Sequence, residues 1–289
     1  MINSVIEAQP NQTNLIKNQM EFNVIYLLTD FSEHAKNASE YAIDAFGTNA
    51  NYVLINSYEV RSTAATLINI EEIAHQESMI HLENEEERLL EIYPNLKVEK
   101  LSKAGTAVNV VNKFLGDYEA DLVVVGSKGI SKLDEILIGS TSSAVIRGVH
   151  KPVLTVPLNA KFNKMDNIVF GSDLVNSNKE ENLEITKVLK NRFHAKVSAA
   201  TVKMSNTELT SEEQSLVDQL TKTEVMDEVS IIRKSDVSKG LMDFCKESSA
   251  DLLVVVAKHT SFFKRFFHKS ITNDLVNHEV LPILVLEDT

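Results

Sequence analysis

Cysteine is nearly absent: Cys245 stands alone among 289 residues. An intrachain disulfide and a multi-cysteine metal site are thereby excluded, and a reducing compartment is the natural setting. Cys245 itself reads as a buried helix residue. Basic side chains are also short, with 29 Lys and Arg against 41 Asp and Glu, for a formal charge of −12. A phosphate backbone would on average be repelled, so no nucleic acid is expected as a partner. No stretch approaches the ~20 apolar residues that span a bilayer. The start MINSVIEAQPNQTNLIKNQM has neither the basic opening nor the apolar run of a signal peptide. These absences predict a cytoplasmic protein without a membrane partner, with residues 1–20 as a flexible tail. No serine stands in a GxSxG turn, and no nucleophile is matched with a base. His75 and His81 are six residues apart, outside the three- or four-residue spacing that shares a helix face, so no metal site is expected there. The acidic run ENEEERLLE at 83–91 reads as a solvated helix face.

Hydrophobic residues make up 43% and charged residues 24% of the chain, the proportions of a globular protein. At ~100–200 residues per domain, this length accommodates two domains. An internal repeat supports that division. ADLVVVG at 120–126 recurs as ADLLVVV at 250–256, and KPVLTV at 151–156 recurs as LPILVL at 281–286. Asp121 and Asp251 are 130 residues apart, as are Pro152 and Pro282, so the segments align without a gap. NVIYLLTD ending at Asp30 is echoed by NIVFGSD ending at Asp173, an offset of 143. So long a period fits a duplicated domain rather than a solenoid.

Each copy alternates short Val/Ile/Leu-rich runs with helical patterns. In the first copy, strands are expected near 22–28, 51–57, 96–101, 121–126 and 152–157, with helices near 33–46, 67–92, 106–118 and 140–149. Uniformly apolar runs of that length suit strands covered on both faces. Parallel strands need crossover helices, which are almost always right-handed. The expected fold class is therefore α/β, with two tandem open five-stranded parallel sheets and helices on both faces. The expected organisation is a first domain at 21–157, a linker at 158–166 and a second domain at 167–289.

Open sheets of this kind bind ligands beyond the carboxyl ends of their strands, where strand order reverses. After DLVVV comes GSKGISKLDEILIGSTSSAVIR, in which Gly126, Gly129 and Gly139 lead into a helix opening with Ser140, Thr141, Ser142 and Ser143. Glycines permit positive φ and close approach of a ligand to the main chain. Hydroxyls and free amides at a helix start can hold phosphates. The same residues also serve as turn glycines and N-caps in proteins that bind nothing. The spacing is neither GxxxxGK(S/T) nor GxGxxG.

Gly126, two residues, Gly129, nine residues, then Gly139 and Ser140 resembles the GxxG(x9)G(S/T) signature of ATP-binding universal stress proteins. The resemblance extends over roughly residues 22–287 and implies an adenine nucleotide alpha-hydrolase-like fold. It implies further that Asp30 lies near the adenosine, where a carboxylate accepts hydrogen bonds from ribose hydroxyls or the adenine amine; capping of the next helix is the other reading. Ser57 takes the position whose backbone pairs with adenine. Val125, Gly126, Lys128 and Gly129 would line ribose and phosphates, and Gly139, Ser140, Thr141 and Ser142 would hold the phosphate tail. Leu28 departs from the proline frequent in the family. The implied cofactor is ATP, with Mg²⁺ arriving on its phosphates rather than through a protein cage.

At the offset of 130, Gly126 becomes Val256, Gly129 becomes His259 and Gly139 becomes Lys269, with Ser140 retained as Ser270. Side chains there fill the space that phosphates need, so the second copy is expected to have lost the site. Its segment KHTSFFKRFFHKS is either a partner or anion site, or its phenylalanines pack into the vacated pocket or against the sister domain while its bases are solvated. Single-domain family members commonly pair through their last strands. Residues 153–156 and 283–286 are accordingly expected to lie antiparallel, making a pseudo-dimer within one chain and leaving further homodimerisation open. Two function classes follow: a nucleotide-dependent stress-response or signalling module, and a slow ATPase or nucleotide-dependent transferase with a second ligand in the second domain.

Overall fold

The computed structural model describes residues 21–60, 67–127, 129–130, 136–137, 139–171, 180–203, 208–256 and 281–287. The first half runs β1 (Val24–Leu28), α1 (Glu33–Phe46), β2 (Asn51–Tyr58), α2 (Leu67–Ile92), β3 (Lys97–Ala104), α3 (Ala107–Asp117), β4 (Leu122–Ser127), β5 (Gly129–Ile130), β6 (Ile136–Leu137), α4 (Ser140–Gly148) and β7 (Val153–Pro157). The second half runs β8 (Asn167–Gly171), α5 (Glu180–Phe193), β9 (Lys196–Lys203), α6 (Ser211–Lys222), β10 (Glu228–Arg233), α7 (Val237–Glu247), β11 (Leu252–Val256) and β12 (Ile283–Leu286). The short strands β5 and β6, paired antiparallel with Ile130 opposite Ile136, lie inside the stretch that reads from sequence as a glycine loop.

Strands of both halves join one ten-stranded sheet, in the order β10-β9-β8-β11-β12-β7-β4-β1-β2-β3. Within each half all neighbours are parallel. At the centre β12 runs antiparallel to β7, with Ile283 opposite Thr155, Leu284 opposite Leu154 and Val285 opposite Val153. The fold is thus α/β with a mostly parallel sheet. In the first half the chain steps outward from β1 to β2 and β3, then returns to place β4 on the other side of β1. Strand order reverses between β1 and β4.

Alternation along the strands feeds two separate cores. Ile25, Leu27, Leu54, Val124 and Leu154 face the side covered by α1 and α2. Tyr26, Val53, Ile55, Val123 and Val125 face α3 and α4, packing with Val110, Val111 and Val145. Double coverage explains why these strands read as unbroken apolar runs. The repeated aspartate has a structural task. Asp121 Oδ2 accepts from the amides of Asn23 and Val24 at 2.8 and 2.9 Å, and Asp251 Oδ2 accepts from those of Asp166 and Asn167 at 2.7 and 2.9 Å. Each carboxylate ties the start of the fourth strand of its half to the start of the first.

The stretch 158–166 is packed against both halves. Asn37 Nδ2 donates to the carbonyls of Pro157 and Ala160, both at 2.9 Å. Phe162 lies between Tyr41 of α1 and Phe193 of α5, with ring centroids 5.6 and 5.7 Å away. Cys245 lies buried in α7, where burial pushes its thiol up to about 12. At pH 8 the reactive thiolate is therefore scarce. A thiol-reactive disulfide reagent is expected to label the native protein slowly and the denatured protein at once; rapid stoichiometric labelling of the native chain would contradict this burial.

Candidate functional site

Beyond the carboxyl ends of β1, β2 and β4, a cavity of about 440 Å³ opens where strand order reverses. Leu28, Thr29 and Asp30 reach it from the end of β1, Ile55 and Ser57 from β2, and Val125, Gly126 and Ser127 from β4. Three helices begin around it, contributing Ser32, His34 and Ala35 from the start of α1, Ala107 and Val111 from α3, and Gly139, Ser140, Thr141 and Ser142 from α4. Its size lies within the ~300–1,000 Å³ of ordinary ligand sites.

The three helix starts are not equivalent. Ser32 caps α1 by accepting from the Ala35 amide, and Thr106 caps α3 by accepting from the Asn109 amide. At α4 the N-cap is Gly139, which offers no side chain. The first amides of a helix have no partner within it, so Ser140, Thr141 and Ser142 turn uncapped donors and the positive end of the helix dipole toward the cavity. Of the three, this is the one open to an anion.

Opposite stands the turn after β1. Phe31 adopts the left-handed region, with φ 64, costly for a non-glycine residue. Its amide donates to Thr29 Oγ1 at 2.9 Å. Asp30 Oδ1 accepts from the amide of Ser32 at 3.1 Å and from its hydroxyl at 2.5 Å. Asp30 is exposed at the cavity wall and held in place through Ser32; the cap of α1 is Ser32, so Asp30 does not itself cap that helix. Its second oxygen has room for a ligand hydroxyl or amine.

A buried polar chain supports this turn. Asn56 Nδ2 donates to the Thr29 carbonyl at 2.7 Å, and Ser78 Oγ of α2 donates to Asn56 Oδ1 at 2.7 Å. The hydroxyls of Ser78 and Ser102 are 2.5 Å apart. Flanking it, His75 approaches the ring of Tyr58 and His81 that of Phe31, at 6.4 and 5.1 Å between centroids. The two histidines hold α2 to the cavity shell at separate places. Among the described residues no cluster of three His, Cys, Asp or Glu is arranged for a metal. Asn56→Ala leaves buried polar groups unpartnered, and its expected cost is ~1–3 kcal/mol. Denaturant melts of Asn56→Ala, Ser78→Ala and the double variant should show strong non-additivity; simple addition would mean that the chain is not one unit.

Gly126 acts by close packing. A β-carbon there would stand 2.5 Å from the His34 carbonyl oxygen and 2.7 Å from its carbon, so the end of β4 lies directly against the backbone of α1. Neither it nor Gly139, with φ −57, is among the positive-φ glycines, which are Gly47 and Gly105. Of the two uses named for glycine, positive φ does not apply at these two positions. Ser142 is nearly fully buried, and its hydroxyl donates to the Gly126 carbonyl at 2.8 Å. That hydroxyl joins α4 to β4, leaving the Ser142 amide as its donor toward the cavity.

Asp30, Ser57, Val125, Gly126, Gly139, Ser140, Thr141 and Ser142 thus surround one space. Gly129 is in β5, opposite Leu137. Lys128 lies outside the described residues, as do Asp173, His259, Lys269, Ser270 and the rest of 257–280. Val256 closes β11 as a buried core residue. The sequence reading passed over Ser32, His34, Ala35, Ala107 and Val111. Their signal is positional: each lies in the first turns or at the cap of a helix that follows a sheet strand, and Ala107 and Val111 are four apart on one face.

An open α/β sheet with a helix start aimed into its switch point places this cavity where such sheets bind ligands. The model of the universal stress protein family matches residues 21–157 and 176–287; the chain belongs to that family. It is 40% identical over 52 residues to universal stress protein MJ0531 and 32% identical over 81 residues to universal stress protein MJ0577, both of Methanocaldococcus jannaschii. These matches cover 18% and 28% of this chain, and span 31% and 49% of those relatives' own lengths. The crystal structure of a universal stress protein from Archaeoglobus fulgidus superimposes with a TM-score of 0.67 at 17% identity, covering 93% of this chain and 99% of that one. At that identity the likeness concerns the fold, which is adenine nucleotide alpha-hydrolase-like.

Proposed function

We propose that the chain is a nucleotide-dependent stress-response or signalling module of the cytoplasm, holding one ATP in its first half. The observation that carries this reading is the uncapped start of α4, facing Asp30 across a cavity at the strand-order reversal. In this reading Ser140, Thr141 and the Ser142 amide receive the phosphate tail beside Gly139. Val125, Gly126, Lys128 and Gly129 flank ribose and phosphates, Asp30 receives the ribose hydroxyls or adenine amine, and the Ser57 backbone meets the adenine. The nucleotide brings negative charge to the helix dipole, with Mg²⁺ on its phosphates. Residues 21–157 and 167–289 act as two domains, paired as a pseudo-dimer, and the second holds no nucleotide. Among the described residues no helix is long and apolar enough to cross a membrane.

Titration calorimetry with MgATP is expected to give one site per chain, together with a rise in Tm by mass action. Gly129→His, which copies the second half's residue, is expected to remove both while leaving the circular dichroism spectrum unchanged. Two equivalent sites, or unaltered affinity in that variant, would overturn the assignment. No residue positioning a water for attack stands out, so ADP release is expected to be slow. Steady turnover at ~1 per second or faster would favour the slow-ATPase or transferase class instead.

A further inference from the structure

The longest helix of the described chain, α2, has two apolar sides. One is buried against the sheet through Ser78, Leu82, Glu85 and Leu89. On the far side Ile70, Ile73 and Ile80 are 38%, 61% and 57% exposed. At 3.6 residues per turn these three fall within a ~80° arc, a stripe that the exposed Glu77 shares. Large aliphatic side chains in such a stripe mark a contact surface rather than scattered exposure. Around them stand the exposed Glu72, Glu77 and Glu83, and the single Lys or Arg of α2 is Arg88, held by Glu85 and Glu40. The surface is aliphatic with one carboxylate, Glu77, inside it and others, Glu72 and Glu83, beside it.

Charge decides what can cover it. Two copies of this helix face to face would set carboxylates against carboxylates, so symmetric pairing is opposed. The complement is a segment both basic and apolar, and the chain has one: residues 258–269, KHTSFFKRFFHK, carry Lys258, Lys264, Arg265 and Lys269 among four phenylalanines, with no acidic residue. The described strand that precedes it is far from α2. Residue 257 follows the end of β11, which lies six strands from β3 in the sheet order, ~29 Å at the usual strand spacing. Because β12 runs antiparallel to β7, β11 also ends at the opposite side of the sheet from Tyr58 and the beginning of α2.

We propose that the outer face of α2 docks the basic, phenylalanine-rich segment 258–269 of a second copy of this chain. The phenylalanines cover Ile70, Ile73 and Ile80, and Lys264 and Arg265 meet Glu72 and Glu77. Every copy then carries one donor segment and one acceptor face, so the contact is head-to-tail and can extend beyond a dimer or close into a ring.

Sedimentation velocity on the full chain without nucleotide tests this. At low salt the average mass is expected to rise with concentration, and at high salt to fall back to the monomer as the charges are screened. Ile73→Glu, and separately Lys264→Glu with Arg265→Glu, should each weaken association about tenfold or more. Glu72→Lys with Glu77→Lys should weaken it likewise, and combining the two reversed charge pairs in one chain should restore it. Circular dichroism checks that each variant, altered at exposed α2 sites or within the segment, remains folded. A monomer at every concentration overturns the proposal. Association lost in Ile73→Glu but untouched by Lys264→Glu with Arg265→Glu overturns it in favour of another occupant, including a symmetric α2 pair. Association indifferent to all of them overturns it in favour of a different surface. None of these readouts depends on ATP, so failure here is separable from failure of the nucleotide assignment.

Discussion

Replacing Gly126 with valine, the residue at the matching position of the second half, is expected to destabilise the protein and remove nucleotide binding together. The new β-carbon would sit 2.5 and 2.7 Å from the oxygen and carbon of the His34 carbonyl and 3.1 Å from the Ala35 amide nitrogen. All three are backbone atoms, so no side-chain rotation relieves the overlap, and α1 must withdraw from β4. Overpacking of this kind costs about 1–3 kcal/mol or more, corresponding to a Tm lower by roughly 2–5 °C. The same displacement moves Ser32, His34 and Ala35, which form one wall of the cavity, and disturbs the carbonyl that accepts from Ser142. Gly126→Ala should show a smaller version of both effects. Thermal melts with and without ATP measure them side by side. Wild-type stability in Gly126→Val would mean that the close approach of β4 to α1 is not a constraint.

The sheet was legible because its strands are covered on both faces and so read as apolar runs bounded by helical periodicity. The repeat at a spacing of 130 was equally plain, yet its meaning was not. Asp121 and Asp251 are conspicuous as sequence, but only the fold brings them to the amides of residues 84 to 98 positions away, Asn23 and Val24 for one and Asp166 and Asn167 for the other. Much of the site was readable for a related reason, since helix starts and strand ends carry local signatures. Gly126 and Ser142 were named from the motif, which left open how each is used: the first packs closely against α1 without positive φ, and an internal hydrogen bond occupies the hydroxyl of the second. The chain Thr29, Asn56, Ser78 and Ser102 had no sequence signal. Its members lie on four elements, and ordinary polar residues become a network only when buried together. The segment 158–166 read as a linker, whereas Ala160 and Met165 are buried and Phe162 packs between Tyr41 and Phe193.

A carboxylate at the centre of the sheet, Leu154→Asp or Leu284→Asp, is expected to be the most damaging single change outside the cavity. Leu154 and Leu284 face one another across the antiparallel pair of β7 and β12, exposed by 3% and 2%, and both belong to the same buried cluster. No cation stands in that register to compensate: Thr155 opposes Ile283 and Val153 opposes Val285. An unpaired buried charge costs roughly 3–5 kcal/mol, a large part of the ~5–15 kcal/mol that holds a typical protein folded. Because the pair is where the two five-stranded halves meet, the damage should appear as loss of cooperativity. The wild type is expected to melt in one transition and either variant in two, with protease cutting opened within 158–166, where Phe162 otherwise packs against Tyr41 and Phe193. Thr155→Val separates hydrogen bonding from charge. The Thr155 hydroxyl donates to the Ile283 carbonyl across the joint at 3.2 Å, and its loss should cost about 1 kcal/mol without splitting the melt. A single unshifted transition in Leu154→Asp would show that the two halves do not depend on this joint.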